Sequence, residues 1–109
     1  MMEIQEYQRQ ATRTINTSLE KNENISNMVF GILGEGGEIA DHLKKHLYQG
    51  HSLDAKHLEE EIGDLMWYVC NLATIYDISM VNVLEHNIEK LKKRYKVGFT
   101  IRESINREE

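Results

Sequence analysis

The fold class follows most directly from twelve consecutive residues, Leu65-Met66-Trp67-Tyr68-Val69-Cys70-Asn71-Leu72-Ala73-Thr74-Ile75-Tyr76. Nearly every position in this run is apolar, so a helix built from it would be apolar on almost every face. Such a helix must be covered on all sides, which the other helices of one small chain could hardly achieve. We therefore expect this helix and the one before it to form the centre of a homo-oligomer, a dimer or a tetramer. The alternative is a well-buried central helix in a monomer.

Two further helices are predicted on the amino-terminal side of this run. The first covers residues 3–17, where apolar residues recur at helical spacing. A second helix can be capped by Asn24 or Ser26, and its apolar stripe continues to Leu47. Gln49-Gly50-His51-Ser52 then ends it.

The carboxyl-terminal side completes the set of helices. Asp54 is the predicted N-cap of the third helix, which ends near Tyr76. Ser79 caps a fourth helix that reaches Tyr95 or Lys96. The chain contains no proline and only seven glycines, which favours long helices with short links. The sequence thus predicts an all-α protein whose protomer is a four-helix antiparallel bundle.

Size and composition restrict the classes of protein to consider. The 109 residues suit a single domain over 1–109, with a core at 26–96 and a tail at 97–109 that is loose or folds across a neighbour. A net charge of −5 argues against non-specific nucleic-acid binding. No apolar run is long enough to span a membrane, the first residues do not resemble a secretion signal, and a lone Cys70 cannot form an internal disulfide. We expect a cytoplasmic protein with no membrane partner.

Two acidic steps are the chemically informative feature. Glu35 and Glu38 lie in the middle of the second helix, and Glu61 and Asp64 lie just before the apolar run of the third. Spacing of i, i+3 places both carboxylates of a step on one helical face. Because acidic residues number 18 of 109, such a step is common by chance, and a solvated helix face is the usual explanation of a single one.

Three details give these two steps more weight. Both are flanked by apolar residues, so their acids are expected at a helix interface. Both also enclose glycines, at Gly36, Gly37 and Gly63. Glycine inside a helix costs about 0.5–1 kcal/mol relative to alanine, which suggests that something approaches the backbone there. The chain between Glu38 and Glu61 is long enough to turn at Gly50 and return antiparallel with the acids facing each other.

Four converging carboxylates repel one another and are costly to desolvate, and a divalent cation would keep them ionised. All-oxygen ligation, with neither Cys nor His, suits Mg²⁺, with Mn²⁺ as a possible substitute. Because Mg²⁺ commonly binds phosphate oxygens beside carboxylates, the substrate is expected to carry phosphate. In the fourth helix, Asn87, Lys90 and Arg94 share one stripe, where the two cations could clamp phosphate oxygens. A solvated basic surface is the simpler explanation of that stripe.

Three motifs in order resemble those of the MazG-like nucleoside triphosphate pyrophosphohydrolases, which belong to the all-α NTP pyrophosphatase superfamily. They are Gly34-Glu35-Gly36-Gly37-Glu38-Ile39, Glu60-Glu61-Ile62-Gly63-Asp64-Leu65 and Asn87-Ile88-Glu89-Lys90-Leu91-Lys92-Lys93-Arg94-Tyr95. The resemblance covers roughly residues 28–96. It implies an oligomeric, Mg²⁺-dependent enzyme that hydrolyses a nucleoside triphosphate, a deoxynucleotide or a non-standard one, to a monophosphate and pyrophosphate.

The resemblance also implies roles for particular residues. Metal ligands would be Glu35, Glu38, Glu61 and Asp64. Phosphate contacts would come from Asn87, Lys90 and Arg94. The catalytic residue that orients or deprotonates water would be Glu38 or Glu61, and Glu60 is a candidate partner of a ligand. Candidates for a base pocket are Gln8, Lys45, Trp67 and Tyr68, although core packing suits the last two better.

Other functions stay open at this point. Within the same superfamily, the alternatives are a dUTPase-like enzyme and a phosphoribosyl-ATP pyrophosphohydrolase. A helical dimerisation module with incidental acids is the non-enzymatic alternative. A di-iron carboxylate protein would need Glu-x-x-His steps, and the chain has none. The histidines at 42, 46, 51, 57 and 86 are therefore interpreted as surface or link residues rather than ligands.

Overall fold

The computed structural model describes residues 1–107, and all regular structure in that range is helical. This confirms the all-α fold class. Residues 108–109, the end of the predicted domain and of its tail, lie outside the described residues. The helices are α1 (Ile4–Thr12), α2 (Lys21–Tyr48), α3 (Ala55–Ile75), α4 (Met80–Arg94) and α5 (Ile101–Ile105).

The two longest helices, α2 and α3, pack against each other in antiparallel directions. Late in α2, His42 contacts Glu61 of α3, and earlier in α2, Gly31 faces Tyr68 further along α3. The link between them contains Gly50 with a positive φ of 75°, a conformation that glycine adopts without a steric penalty. The predicted turn and antiparallel return are therefore present.

The start of α2 differs from the prediction. The helix begins at Lys21, because Glu20 and Glu23 form a reciprocal capping box. Asn24 does not cap a helix. Its side chain is buried and donates from Nδ2 to the backbone oxygens of Asn16 and Leu19. Helix α2 thus begins before both predicted caps, because Asn24 makes tertiary hydrogen bonds rather than a local capping bond.

Helix α1 ends at Thr12, five residues before the predicted end at 17. Asn16 provides a physical reason, because its Oδ1 accepts hydrogen bonds from the amide and the hydroxyl of Ser18 at 3.0 and 2.6 Å. Local side-chain bonds of this kind offer the backbone an alternative to helix. The segment from Arg13 to Glu20 turns instead and leads into α2.

The bounds of α3 and α4 agree with the sequence to within a residue or two. Asp54 caps α3 by accepting a hydrogen bond from the backbone amide of His57 at 3.0 Å. Ser79 occupies the N-cap position of α4, but its side chain makes no capping bond. The amide of Met80 instead donates to Oε1 of Gln8 at 2.8 Å, so a side chain from α1 fixes the start of α4.

The tail is partly ordered. The hydroxyl of Thr100 accepts a hydrogen bond from the amide of Glu103 and so caps the short helix α5. The carboxylate of Glu103 in turn accepts from the amide of Lys96 at 3.3 Å, and the rings of Tyr95 and Phe99 lie 5.3 Å apart. These contacts hold the described part of the tail against the end of α4.

The chain is open rather than compact. Its radius of gyration is 17.1 Å, whereas a compact chain of this length has about 13 Å. Its accessible surface is 8535 Å², against about 6300 Å² for a folded monomer of this mass. Among the described residues, the buried apolar ones are few: Ala11, Met28, Cys70, Ala73 and Met80.

Helix α4 accounts for much of this openness. It packs mainly against α1, while its apolar stripe, Val83, Leu84, Ile88 and Leu91, lies exposed. A four-helix bundle with all helices around one core therefore remains a prediction. Among the described residues, no helix combines the length and the apolar character needed to cross a membrane.

Candidate functional site

The antiparallel pairing of α2 and α3 brings the two acidic steps together. Glu35 and Glu38 lie on α2, and Glu61 and Asp64 lie on α3. The charges of the other three all act on Glu35. Glu61 is buried and Glu35 half-buried, while Glu38 and Asp64 are exposed. The four predicted metal ligands therefore share one place between the helices.

Glu35 shows the electrostatic strain of this arrangement. Burial raises the pKa of its carboxyl group, and the negative charges of Glu38 and Asp64 raise it further. Its Oε2 atom is buried and accepts no hydrogen bond from the described residues. A buried carboxylate oxygen without a partner is costly unless a cation or a donor is supplied to it. The arrangement thus fits a divalent ion held by oxygen ligands.

A cleft of about 530 Å³ opens beside these acids. It lies over the end of α2, the link and the start of α3. Among its lining residues are Glu38, Asp41, His42, Lys45, His51, His57 and Glu61. Two of the predicted carboxylates therefore face a space large enough for a small organic ligand.

Lys45 is the predicted substrate residue that lies in this cleft. Its Nζ atom forms an ion pair with Asp41 Oδ2 at 2.9 Å, and both side chains are about half exposed. The hydrogen bond and charge of Lys45 lower the pKa of Asp41. Exposed ion pairs of this type are weak, so Lys45 can exchange Asp41 for another anion at low cost.

Two histidines join the site, which the sequence interpretation missed. His42 Nδ1 lies 2.9 Å from Glu61 Oε1, and His57 Nε2 lies 3.7 Å from Glu61 Oε2. The two rings stack with their centroids 5.5 Å apart. The interpretation of His42 as a surface residue is wrong, because its side chain is only 11% exposed.

The sequence did contain a signal for these histidines. His42 follows Glu38 by four positions, and His57 precedes Glu61 by four. Residues four apart share a helical face just as residues three apart do. A Glu-x-x-His step has the shorter spacing of three, so that pattern includes neither residue.

Gln8 lies away from the acids and is engaged elsewhere. Its Nε2 atom donates to Thr74 Oγ1 at 3.0 Å and to the carbonyl oxygen of Ile78 at 2.9 Å, and its Oε1 accepts from Met80. It lines a different cavity, between α1 and the link from α3 to α4. The structure thus gives Gln8 a role in holding helices together, and it does not bring Gln8 to the cleft beside Glu38.

The α4 residues are also apart from the cleft in this chain. Asn87 and Lys90 are exposed, and Arg94 is half-buried. None of the three lines the cleft. Arg94 lines another cavity, of about 480 Å³, with Lys93 and Arg102 among its neighbours. The structure therefore does not bring these predicted phosphate-binding residues next to the acids.

Trp67 and Tyr68 do not line the cleft and make packing contacts elsewhere. Trp67 donates from Nε1 to Thr14 Oγ1 at 2.8 Å, and its ring meets Tyr68 edge-on. Tyr68 lies against Gly31, which leaves no room for a side chain. Gly36, Gly37 and Gly63, in contrast, face open space in the described part of the chain. The close approach expected at those three glycines is not made within the described chain.

Comparison with known proteins gives two findings. The model of the MazG nucleotide pyrophosphohydrolase domain matches residues 23–99. A relative from Mycobacterium phage L5, called Gene 37 protein, is 37% identical over 76 residues, which is 66% of this chain and 67% of the relative. No solved structure matches. The matched range contains all four acids as well as His42 and His57.

Proposed function

This chain belongs to the MazG nucleotide pyrophosphohydrolase family, and we propose that it hydrolyses nucleoside triphosphates to nucleoside monophosphate and pyrophosphate with the help of Mg²⁺. Deoxynucleotides or non-standard nucleotides are the proposed substrates. The bond that breaks is the phosphoanhydride between the α and β phosphates. The oxygen of water bonds to one of these two phosphorus atoms, and the bridging oxygen leaves with the other.

The observation that carries this proposal is the state of Glu35. Its Oε2 is buried without a partner among three other carboxylates, and its pKa is raised by burial and by their charges. Members of this family generally use a divalent metal. The residues that would hold it are Glu35, Glu38, Glu61 and Asp64. When bound, the ion supplies charge neutralisation for the triphosphate.

Other residues of the cleft supply the remaining roles. Glu38 and Glu61 both line it, so either carboxylate can accept a proton from the attacking water. Lys45 lies in the same cleft and can replace its contact with Asp41 by one with a phosphate oxygen. Assignment of Glu38 or Glu61 as the base is part of the proposal.

The open shape of the protomer supports the proposed homo-oligomer. Large apolar side chains are exposed on α2 as well as on α4, including Phe30, Leu33 and Ile88. Exposed apolar surface on this scale is typical of interfaces. Assembly through these faces is also the proposed way in which Asn87, Lys90 and Arg94 come close to a phosphate chain.

The experiment that tests the function is a pyrophosphate-release assay. Purified protein with Mg²⁺ is offered each common ribo- and deoxyribonucleoside triphosphate, dUTP, damaged nucleotides and phosphoribosyl-ATP. We expect release of pyrophosphate together with the monophosphate, and loss of release in EDTA. Release of inorganic phosphate instead, or no turnover of any substrate, would contradict the proposal.

A further inference from the structure

We propose that His42, His57 and Glu61 form a binding site for a first-row transition-metal ion such as Zn²⁺ or Co²⁺, distinct in its ligand set from the all-carboxylate Mg²⁺ site. The two sites would share Glu61. The inference goes beyond the proposed hydrolysis, because it concerns which ion the chain binds and can be tested without nucleotide.

The spacing of the ligand atoms suits such an ion. One ring nitrogen of each histidine and one carboxylate oxygen lie within 4.8 Å of one another. Ligand bonds of about 2.0–2.2 Å in a tetrahedron place neighbouring ligand atoms about 3.3–3.6 Å apart. His42 Nδ1 lies 2.9 Å from Glu61 Oε1, and His57 Nε2 lies 3.7 Å from the other carboxylate oxygen, Oε2, so the two distances lie on either side of this range. Small side-chain rotations would therefore suffice to bind the ion.

The environment of the three side chains is that of an open metal site. Glu61 and His42 are held between α2 and α3, at 5% and 11% side-chain exposure, while His57 is 56% exposed. All three line the cleft. An ion bound here would keep a coordination position toward the cleft, where water or a phosphate oxygen can enter.

A carboxylate also stands behind one of the imidazoles. His57 Nδ1, the nitrogen that faces away from Glu61, lies 4.0 Å from Glu60 Oε2. Metal-binding histidines commonly direct their second nitrogen toward a carboxylate, which fixes the ring and makes it a better ligand. Glu60, expected to assist a ligand, is thus placed to assist His57.

The ligand types determine which ion is preferred. Imidazole is a borderline ligand, so a set of two imidazoles and one carboxylate favours Zn²⁺, Co²⁺ or Fe²⁺, whereas Mg²⁺ prefers oxygen ligands alone. The quartet of carboxylates has the opposite preference. An excess of Mg²⁺ should therefore fill the carboxylate site and leave the histidine site to the transition metal.

The test is metal binding by tag-free, EDTA-stripped protein without nucleotide. Co²⁺ is titrated in excess Mg²⁺ and followed by its visible absorption, and Zn²⁺ is titrated by calorimetry. We expect one ion per chain, and at least a tenfold weaker affinity, about 1.4 kcal/mol, in His42→Gln and in His57→Gln. His86→Gln, an exposed histidine on α4, is the matched control and should bind as the wild type does.

The results also separate this proposal from the proposed hydrolysis. Asp64→Asn should lose pyrophosphate release yet still bind Co²⁺ at the histidines. His57 is exposed, so His57→Gln is expected to fold even if His42→Gln does not, and circular dichroism checks both. Unchanged Co²⁺ affinity in His57→Gln, or displacement of Co²⁺ by Mg²⁺ from the wild type, would overturn the histidine site whatever the assay of hydrolysis shows.

Discussion

The ring of Tyr68 lies so close to Gly31 that a Cβ atom on this glycine would overlap it. The contact joins α2 to α3 one to two turns before the first acidic step, where the helices must approach closely for the four carboxylates to meet. Gly31 is thus the glycine of α2 at which close packing, rather than an open surface, explains the absence of a side chain.

We predict that Gly31→Ala destabilises the protein by about 1–3 kcal/mol, because the ring of Tyr68 has to move in an already packed interface. Urea denaturation measures the change. Gly34→Ala is the matched control, since Gly34 faces open space in the described chain. Its replacement should be neutral or stabilise by about 0.5–1 kcal/mol through helix propensity. Equal stability of the two variants would argue against the Tyr68 contact.

Removal of single carboxylates from the quartet should abolish catalysis while the fold survives. For Glu38→Gln and Asp64→Asn we expect at least a hundredfold slower pyrophosphate release, about the effect of losing one electrostatic group at an active site. Both side chains are exposed, so circular dichroism should be unchanged. Glu59→Gln, an exposed acid on α3 outside the quartet, should keep its activity. Full activity of both site variants would refute the assignment.

The stability of the metal-free protein should depend on pH through Glu35. Its pKa in the folded protein is raised above the ordinary value of 4.5, so the folded state binds more protons than the unfolded state. Stability from this group is therefore complete below pH 4.5 and falls as the pH rises through the folded pKa. Glu35→Gln should abolish this loss.

Thermal melts in EDTA between pH 4 and neutral pH measure the contribution of Glu35 to stability. The quantity to compare is the difference in Tm between wild type and Glu35→Gln, because the titration of other groups cancels in this difference. At neutral pH the variant should melt at a higher temperature than the wild type. Near pH 4 the two should converge. A variant that is less stable at neutral pH would show that Glu35 is not under net repulsion.

Ligand binding should stabilise the folded state measurably. At a hundred times its Kd, a ligand specific to the native state adds about 2.7 kcal/mol, which raises the Tm of a small domain by roughly 10 °C. We expect a rise in Tm of this size when Mg²⁺ and a non-hydrolysable triphosphate are added to the wild type, and a much smaller rise for Asp64→Asn. A non-enzymatic dimerisation module would show no shift.

The apolar stripe of α4 should control assembly. Ile88 is 51% exposed in the protomer, so Ile88→Glu places a charge on a face that the proposed oligomer would bury. Analytical ultracentrifugation should show the wild type as a dimer or tetramer and this variant shifted toward monomer. His86→Glu, on another side of the same helix, should assemble normally. A wild type that is monomeric at micromolar concentration would contradict the proposed homo-oligomer.

Much of the fold was predictable because its signals are local. The caps and apolar periodicity of α3 and α4 lie within their own segments, and the antiparallel return follows from a glycine link between two long helices. The start of α2 was not predictable in this way. Asn24 makes hydrogen bonds to the backbone of Asn16 and Leu19, and these contacts cannot be read from the sequence around it. The early end of α1 was likewise missed, because helical spacing of apolar residues does not show where side-chain hydrogen bonds replace the helix.

The site divides in a similar way. Carboxylates at i, i+3 on two helices could be paired from spacing alone, and the charges acting on Glu35 agree with that pairing. His42 and His57 required knowledge of the register between α2 and α3. Where α4 lies relative to the acids depends on tertiary contacts, and in this protomer Lys90 lies on a helix that packs mainly against α1.

The three hydrogen bonds of Gln8 give the amino-terminal helix an unexpected influence. A single amide group joins Thr74 near the end of α3, the carbonyl of Ile78 in the link and the amide of Met80 at the start of α4. A residue of α1 therefore helps to fix the direction in which α4 leaves the link, although it lies about eighty positions before Asn87 and Lys90. Sequence changes in the first ten residues can steer the basic face without altering any residue on it.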